Sequence, residues 1–295
     1  MISDISDEQV LEIEKKAVRI RQLIIETLVE AGSGHTAGPL GMADIFAAFY
    51  FYILNHDPKN PDWDGRDKLI LSNGHICPVR YAAMSLAGYF PLEELKTFRK
   101  INSRLQGHPH RSALPGVETT SGPLGEGISQ SIGMALAAKL DKKNHRIYCF
   151  TSDGEHEEGN TWEALMFAAK NKIDNLTVVI DRNNIQIDGF TEDVMPLESL
   201  SAKYAAFNWQ VFEVDAHNVR MVVDTVREAT AVHQKPSVII AHTIPGKGVS
   251  FMENRFEWHG VPPDTTDVAG APPKGQQAKV ALEELKALRD KLEIN

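Results

Sequence analysis

The sequence predicts an α/β protein built on a doubly wound, mostly parallel sheet flanked by helices. Two apolar runs carry that expectation, RIYCF at 146–150 and LTVVID at 176–181, because strands buried on both faces of a parallel sheet read as unbroken apolar stretches. Between them, 160–172 has helical spacing, which supplies the crossover that two parallel strands need. The third observation is polar: Asp153-Gly154 follows the first run, and Asn183-Asn184 follows the second, thirty positions on.

Taken in order, 7–31 carries apolar residues at helical spacing, Val10, Leu11, Ile13, Val18, Ile20, Leu23 and Ile24, and ends at Gly32-Ser33-Gly34. A nearly all-apolar helix is expected over 43–54, and a surface loop rich in Pro, Asp and Gly over 57–67. A short strand follows at 68–71, then helices at 79–87 and 91–99. The stretch 107–125, crowded with His, Pro, Gly and Thr, is a long loop, and loops of that length in compact domains are usually functional. Alanine and glycine dominate 125–140, giving a helix able to pack closely on the sheet. Later strands are expected at 209–214 and 237–242 with a helix at 219–232 between them, then a Gly/Pro-rich loop to 273 and a charged helix at 276–292. No repeat or low-complexity tract interrupts the series.

The chain of 295 residues is long enough for one large α/β domain or two small ones. Its net charge of −9 and pI near 5.7 argue against nucleic-acid or anionic-membrane binding by bulk attraction, so an anionic ligand needs a local site. Cys77 and Cys149 are far apart and in no metal or redox spacing, which fits a reducing cytoplasm. The acidic, interrupted N-terminus is no signal peptide, and no apolar run is long enough to span a bilayer.

Adjacent parallel strands end side by side, so Asp153 and Asn183 are expected to meet at the carboxyl edge of the sheet, where open α/β folds bind ligands. A carboxylate and a neutral amide oxygen suit octahedral Mg²⁺ shared with phosphate oxygens, and Gly154 lets backbone approach a phosphate closely. The pair therefore reads as a metal-diphosphate site. GPLGEGI at 122–128 opens a helix whose N-terminal amides attract anions.

The pattern resembles the thiamine diphosphate enzymes, whose signature is Gly-Asp-Gly, about thirty residues, then Asn-Asn, with Ser152 here in place of the first glycine. Four further stretches resemble the transketolase branch: SGHTAGPLG (33–41), LSNGHICPVRY (71–81), GHPHRSALPGVETTSGPLGEGI (107–128) and PGKGVSFMENRFEWHGVPP (245–263). They span almost the whole chain in the family's order.

The resemblance implies thiamine diphosphate and Mg²⁺ as cofactors, with Ca²⁺ or Mn²⁺ able to substitute. It implies Asp153 and Asn183 as side-chain metal ligands and Ile185 as a backbone ligand. His75 and His259 would face the diphosphate, His35 and His108 the donor's carbonyl and hydroxyl end, and His259 also the donor's carbon skeleton. Gly122, Leu124, Gly154 and Ile187 would line the cofactor, and Glu158 would join a carboxylate chain linking active sites across a subunit interface. Imidazole suits such a site because it donates or accepts protons near neutral pH. Lys247, between two glycines, could offer a positive charge to a phosphate but reads more simply as a mobile surface lysine, Trp258 reads as packing, and His110 stands where many transketolases have an acid.

A complete transketolase is about twice as long. The resemblance therefore implies that 1–295 is a single diphosphate-binding domain, with the pyrimidine-binding and C-terminal domains on a partner chain in an α₂β₂ assembly. A chain that closes on a charged helix is expected to be a natural subunit rather than a fragment. The expected activity is transfer of a two-carbon ketol unit from a ketose or ketose phosphate to an aldose, in the cytoplasm, and only with the partner. Two alternatives stand beside it: an enzyme like 1-deoxyxylulose-5-phosphate synthase, and a non-catalytic subunit keeping a relic pocket.

Overall fold

The computed structural model describes residues 2–294. Strands β1 (Lys68–Leu71), β2 (Ile147–Ser152), β3 (Leu176–Arg182), β4 (Ile185–Gln186), β5 (Gly189–Phe190), β6 (Gln210–Asp215) and β7 (Ser237–His242) form one five-stranded sheet of order β1-β2-β3-β7-β6 and a small β4–β5 hairpin. Every pairing in the large sheet is parallel, and β2 and β3 lie side by side from Ile147↔Leu176 to Ser152↔Asp181. All seven residues of β3 are buried, which is why its sequence reads as an unbroken apolar run.

Side chains of successive residues point to opposite faces of a strand, so the sheet divides the core in two. Tyr148, Phe150, Val179, Ile239 and Ala241 belong to one apolar cluster, whereas Ile147, Cys149, Val178, Ile180, Val238 and Ile240 belong to the other. The first cluster is covered by α1 (Asp7–Ala31), α2 (Ala37–Gly41), α3 (Ala43–Ala48) and α4 (Cys77–Ala87). The second is covered by α5 (Glu126–Leu140) and α6 (Gly159–Lys170), with α7 (Thr191–Val194) beside the hairpin and α8 (Leu200–Ala206) completing that face. Helix α9 (Val219–Thr230) returns to the first face, and α10 (Gln277–Ile294) packs there against α1. Helices on both sides of a parallel sheet make the doubly wound architecture expected from the sequence.

Local chemistry sets the ends of α1. Ser6 and Gln9 form a reciprocal capping box at its start, and Gly32 takes the left-handed φ of 61° at its end. The helix expected over 43–54 stops at Ala48 and continues as a wider π turn, Phe49–Ile53. The helix expected over 91–99 is a 3₁₀ segment, Leu92–Thr97, in which only Leu95 is buried and the Thr97 hydroxyl donates to the Glu94 carbonyl at 2.8 Å; one buried side chain does not give a full α-helix a face to pack. The short α2, α7, α8 and the hairpin carry no periodic signal and went unanticipated.

Among the described residues no helix is long and apolar enough to cross a membrane. A polar cavity of about 610 Å³, lined by Asn55, Asp67, Arg146 and Tyr148 among others, lies at the amino ends of β1 and β2, opposite the carboxyl edge where the signature residues gather.

Candidate functional site

Loops at the carboxyl ends of β1, β2, β3 and β7 converge with the loop after α1. They bring together three histidines far apart in sequence: ring centroids of His35 and His75 are 4.8 Å apart, and His259 is 5.4 Å from each. The Thr36 hydroxyl ties two of these loops by donating to the Val261 carbonyl at 2.8 Å. His108 lies within the same cluster, with its ring close to the backbone of Gly74 and Gly122.

Burial and mutual repulsion hold these imidazoles neutral. Burial, then the nearby His259, push His35 down to about 3, and burial pushes His259 down to about 4. His75 is lowered by desolvation and then by His35, and His108 by desolvation and then by Arg99. His35 Nδ1, His259 Nδ1, both amide atoms of Asn73 and Ser121 Oγ are buried with no partner within the protein. Buried polar atoms are ordinarily satisfied, so this set fits a polar ligand that lies among them.

The ends of β2 and β3 that carry Asp153 and Asn183 lie side by side, as the strand pairing requires. The Asp153 amide donates to the Asp181 carbonyl at 3.2 Å, and the Asn184 amide donates to Asp153 Oδ2 at 2.8 Å, stitching the two strand ends together. Asn183 is oriented from both sides: its Nδ2 donates to Asp181 Oδ2 at 2.9 Å and its Oδ1 accepts the Ile185 amide at 3.0 Å. That fixes which end of the amide is oxygen. Asn184 adopts a left-handed φ of 63°, which asparagine tolerates better than most residues, so the second asparagine of the pair serves the turn. Burial raises the Asp153 carboxyl above its ordinary range against the opposing pull of Arg182. Among the described residues no group of three or more His, Cys, Asp or Glu could hold a metal ion. A cation here would rest on one carboxylate, one amide and one backbone carbonyl, with ligand oxygens completing its shell, as suits Mg²⁺ bound through phosphates.

A Cβ added to Gly154 would meet nothing within 4 Å. No neighbour inside the protein requires glycine there, and the space above it is open to a ligand. Leu124 is half-buried beside Gly122, Ile187 is 65% exposed on the hairpin, and Glu158 is exposed at the start of α6. Trp258 is fully buried, as its reading as packing requires, and Lys247 is half-buried with its ammonium 3.9 Å from Glu253.

The expectation that the start of α5 offers its amides to an anion needs correction. The Gly125 amide donates to Glu155 Oε1 at 2.8 Å, and the Gly127 amide to Ser72 Oγ at 3.0 Å. Ser72 Oγ in turn donates to Glu155 Oε1 at 2.5 Å, and the Ser152 amide to Oε2 at 2.9 Å. Two amides of this helix end are thus taken by side chains of the protein, one by Glu155 and one by Ser72. Glu155 is 1% exposed and burial pushes it up to about 7, although its sequence neighbours Glu157 and Glu158 are exposed. In the sequence it reads as one of a solvated acidic run; only its place two residues after Asp153 sets it apart.

Arg99 is the second residue that sequence reasoning missed. It takes a left-handed φ of 60°, its side chain passes so near Gly107 that a Cβ there would come within 2.6 Å of Nε, and its charge is felt by both His35 and His108. Nothing in its flanking sequence signals that.

A family model described as the thiamine diphosphate binding domain of transketolase matches residues 13–276. The chain is 41% identical over 254 residues to the 6-deoxy-6-sulfo-D-fructose transketolase subunit of Clostridium sp. (strain MSTE9), covering 86% of this chain and 92% of that one. It is 41% identical over 278 residues to one of the apulose-4-phosphate transketolase subunits of Actinobacillus succinogenes, covering 93% and 96%. Among solved structures, the transketolase of Campylobacter jejuni superposes with a TM-score of 0.81 at 31% identity, over 96% of this chain and 48% of that one. The chain thus spans about half the length of the solved transketolases it matches and nearly all of the two subunits.

Proposed function

The chain belongs to the transketolase family, through its thiamine diphosphate binding domain, and on that premise we propose that it is the diphosphate-binding subunit of a two-component transketolase that moves a two-carbon ketol unit from a ketose to an aldose. The observation that carries this reading is the near end-to-end match to two transketolase subunits by a chain whose His35, His75 and His259 converge on one edge of the sheet.

Bound thiamine diphosphate supplies the carbon that takes up the ketol unit and the electron sink that lets it leave. This chain's residues bind and orient. Asp153 and Asn183 through their side chains, and Ile185 through its carbonyl, would hold Mg²⁺ against the diphosphate. His75, Gly122, Leu124, Gly154 and Ile187 would line the cofactor. His35 and His108 would hold the carbonyl and hydroxyl end of the donor, and His259, with an unpartnered Nδ1, is the candidate to accept a proton from a donor hydroxyl. Glu158, exposed at the start of α6, would reach the neighbouring active site in the assembly.

The pyrimidine-binding half is assigned to a partner chain in an α₂β₂ assembly, in line with the naming of the two relatives as subunits. Those names specify a sulfonated and a phosphorylated ketose, which supports an anionic ketose as donor here. A cytoplasmic location fits two buried free cysteines and the acidic composition.

The test is reconstitution. The chain, its partner, thiamine diphosphate and Mg²⁺ together should convert phosphorylated or sulfonated ketoses and an aldose acceptor into products changed by two carbons, as seen by mass spectrometry, whereas neither chain by itself should do so. A reconstituted pair that binds cofactor but transfers from no ketose would refute the assignment.

A further inference from the structure

His217 lies in the turn between β6 and α9, and both of its ring nitrogens are engaged. The Ile244 amide, just beyond the end of β7, donates to Nε2 at 2.8 Å. A nitrogen that accepts from an amide carries no proton, so the ring proton sits on Nδ1, which donates to Asp44 Oδ2 at 2.7 Å. The same carboxylate, on α3, also accepts from Arg21 of α1, Oδ1 from Nη1 at 3.1 Å and Oδ2 from Nη2 at 2.5 Å, while Arg21 Nε donates to the Leu40 carbonyl at 3.1 Å. Burial disfavours the Asp44 anion, but Arg21 and His217 outweigh it and hold the carboxyl below its usual range. Arg21 and Asp44 are 4% and 6% exposed, so this series of contacts runs through the interior.

Each end of the series leads to a histidine of the cluster. Ile244 opens the loop that carries His259, whereas Leu40 and Asp44 belong to the α2–α3 segment that follows His35. The two segments also touch directly. The Gly246 amide donates to the Ala37 carbonyl at 2.8 Å, and a Cβ on Gly41 would come within 2.9 Å of the Ile244 carbonyl oxygen. Ala37 is two positions after His35, so a displacement of the chain at Ile244 reaches His35 as well as His259.

We infer that His217 is a positioning residue: through the Ile244 amide it holds the loop of His259 against the segment of His35, and so fixes the 5.4 Å between those two rings. The inference rests on the reading of His259 as acceptor of a proton from the donor. His217 acts on that step through the backbone of Ile244. One hydrogen bond of this kind adds little to overall stability, whereas misplacing a reacting group by about 1 Å costs on the order of a hundredfold in rate. Its weight therefore falls on turnover more than on folding.

The two ring nitrogens can be removed one at a time. His217→Asn keeps an amide nitrogen at the place of Nδ1 for Asp44 but is too short to reach Ile244. His217→Gln carries its carbonyl oxygen as far from Cγ as Nε2 and can still accept from Ile244. The full chain is assembled with its partner, thiamine diphosphate and Mg²⁺, and given a phosphorylated ketose and an aldose. His217→Asn should then lower kcat on the order of tenfold with KM changed by less than about twofold, whereas His217→Gln should keep kcat within about twofold of wild type. Hydrogen exchange read by mass spectrometry on the full chain should show 244–258 exchanging about tenfold faster in His217→Asn but not in His217→Gln. Each variant gives up one hydrogen bond of His217, so a residue that only stabilised the fold would lower the melting temperature in both and affect kcat in both alike. Equal kcat in the two variants, or a larger fall in His217→Gln, overturns the inference. If His217→Asn does not assemble, the exchange measurement decides, and equal exchange in the two variants overturns it. Wild-type protein that transfers from no ketose would instead refute the function proposed above, and exchange would still decide whether His217 holds the loop.

Discussion

His35 and His75 sit with ring centroids 4.8 Å apart, and neither can take a proton at neutral pH without charging a buried pocket shared with the other. The folded protein protonates His35 only near 3 and His259 only near 4, whereas an unfolded histidine does so near its ordinary value of 6.5. Between those values the unfolded chain binds more protons, so stability is full above about 6.5 and is lost as pH falls through the window, by at most about 1.4 kcal/mol per pH unit for each histidine. Denaturant titrations at pH 7 and 5 should show this, and His35→Asn should flatten the slope. Binding of the anionic cofactor should raise these pKa values, so calorimetry at pH 5.5 in two buffers of different ionisation enthalpy should detect proton uptake; zero uptake would contradict the placement of the diphosphate beside them.

Removing the Asp153 carboxylate takes away the one anionic ligand proposed for the metal. Asp153→Ala should abolish metal-dependent binding of thiamine diphosphate in calorimetry with the partner present, while Mg²⁺-independent binding, if any, stays as it was. The variant also leaves Arg182 without one of its three carboxylates, so a fall in thermal stability is expected in the same sample. Unaltered metal-dependent affinity would dismiss Asp153 as a ligand.

Glu155 accepts three hydrogen bonds, from Ser72, Gly125 and Ser152, and joins the ends of β1 and β2 to the start of α5. In Glu155→Gln the amide nitrogen must face a donor, since both carboxylate oxygens face donors now. The expected loss of stability is about 1–3 kcal/mol, as for other buried unsatisfied groups. Urea denaturation measures it, and cofactor affinity should weaken alongside because the loop carrying Gly122 and Leu124 leans on the same contact. A fully stable variant would mean that the loop holds its shape by other means.

Gly125 has φ of 78°, and a Cβ there would lie 2.3 Å from Asn160 Oδ1 and 2.9 Å from Glu158 Cβ. Gly125→Ala is therefore strained twice, by backbone and by crowding from α6. It should lower the melting temperature and displace Glu158, while Gly133→Ala in the same helix α5, where nothing lies within 4 Å, should be neutral or stabilising. Equal melting temperatures for the two variants would rule out the crowding.

The sheet was legible because burial on both faces writes itself into sequence: β3 and β7 read as apolar runs, and α1 is bounded by a serine and a glycine whose chemistry ends helices. The signature residues were legible because Asp153 and Asn183 close strands that must be neighbours. Glu155, Arg182 and Arg99 were not, for one shared reason. A charged residue in a polar stretch looks like solvent-facing sequence, and only tertiary contacts show that Glu155 and Arg182 turn inward and that the exposed Arg99 lies against Gly107. The hairpin and the short helices around it escaped for a different reason: two to seven residues are too few to display a period.

The hydrogen bond from Thr36 to Val261 spans 225 positions, joining the loop of His35 to that of His259. A ribosome adds residues one at a time, so the pocket has no complete wall until Val261 has been made and has left the exit tunnel. The sheet's first strands can pair earlier, but the histidine cluster cannot. The wall of the pocket that carries His259 is therefore the last to form, and this edge of the sheet stays open until that late contact is made.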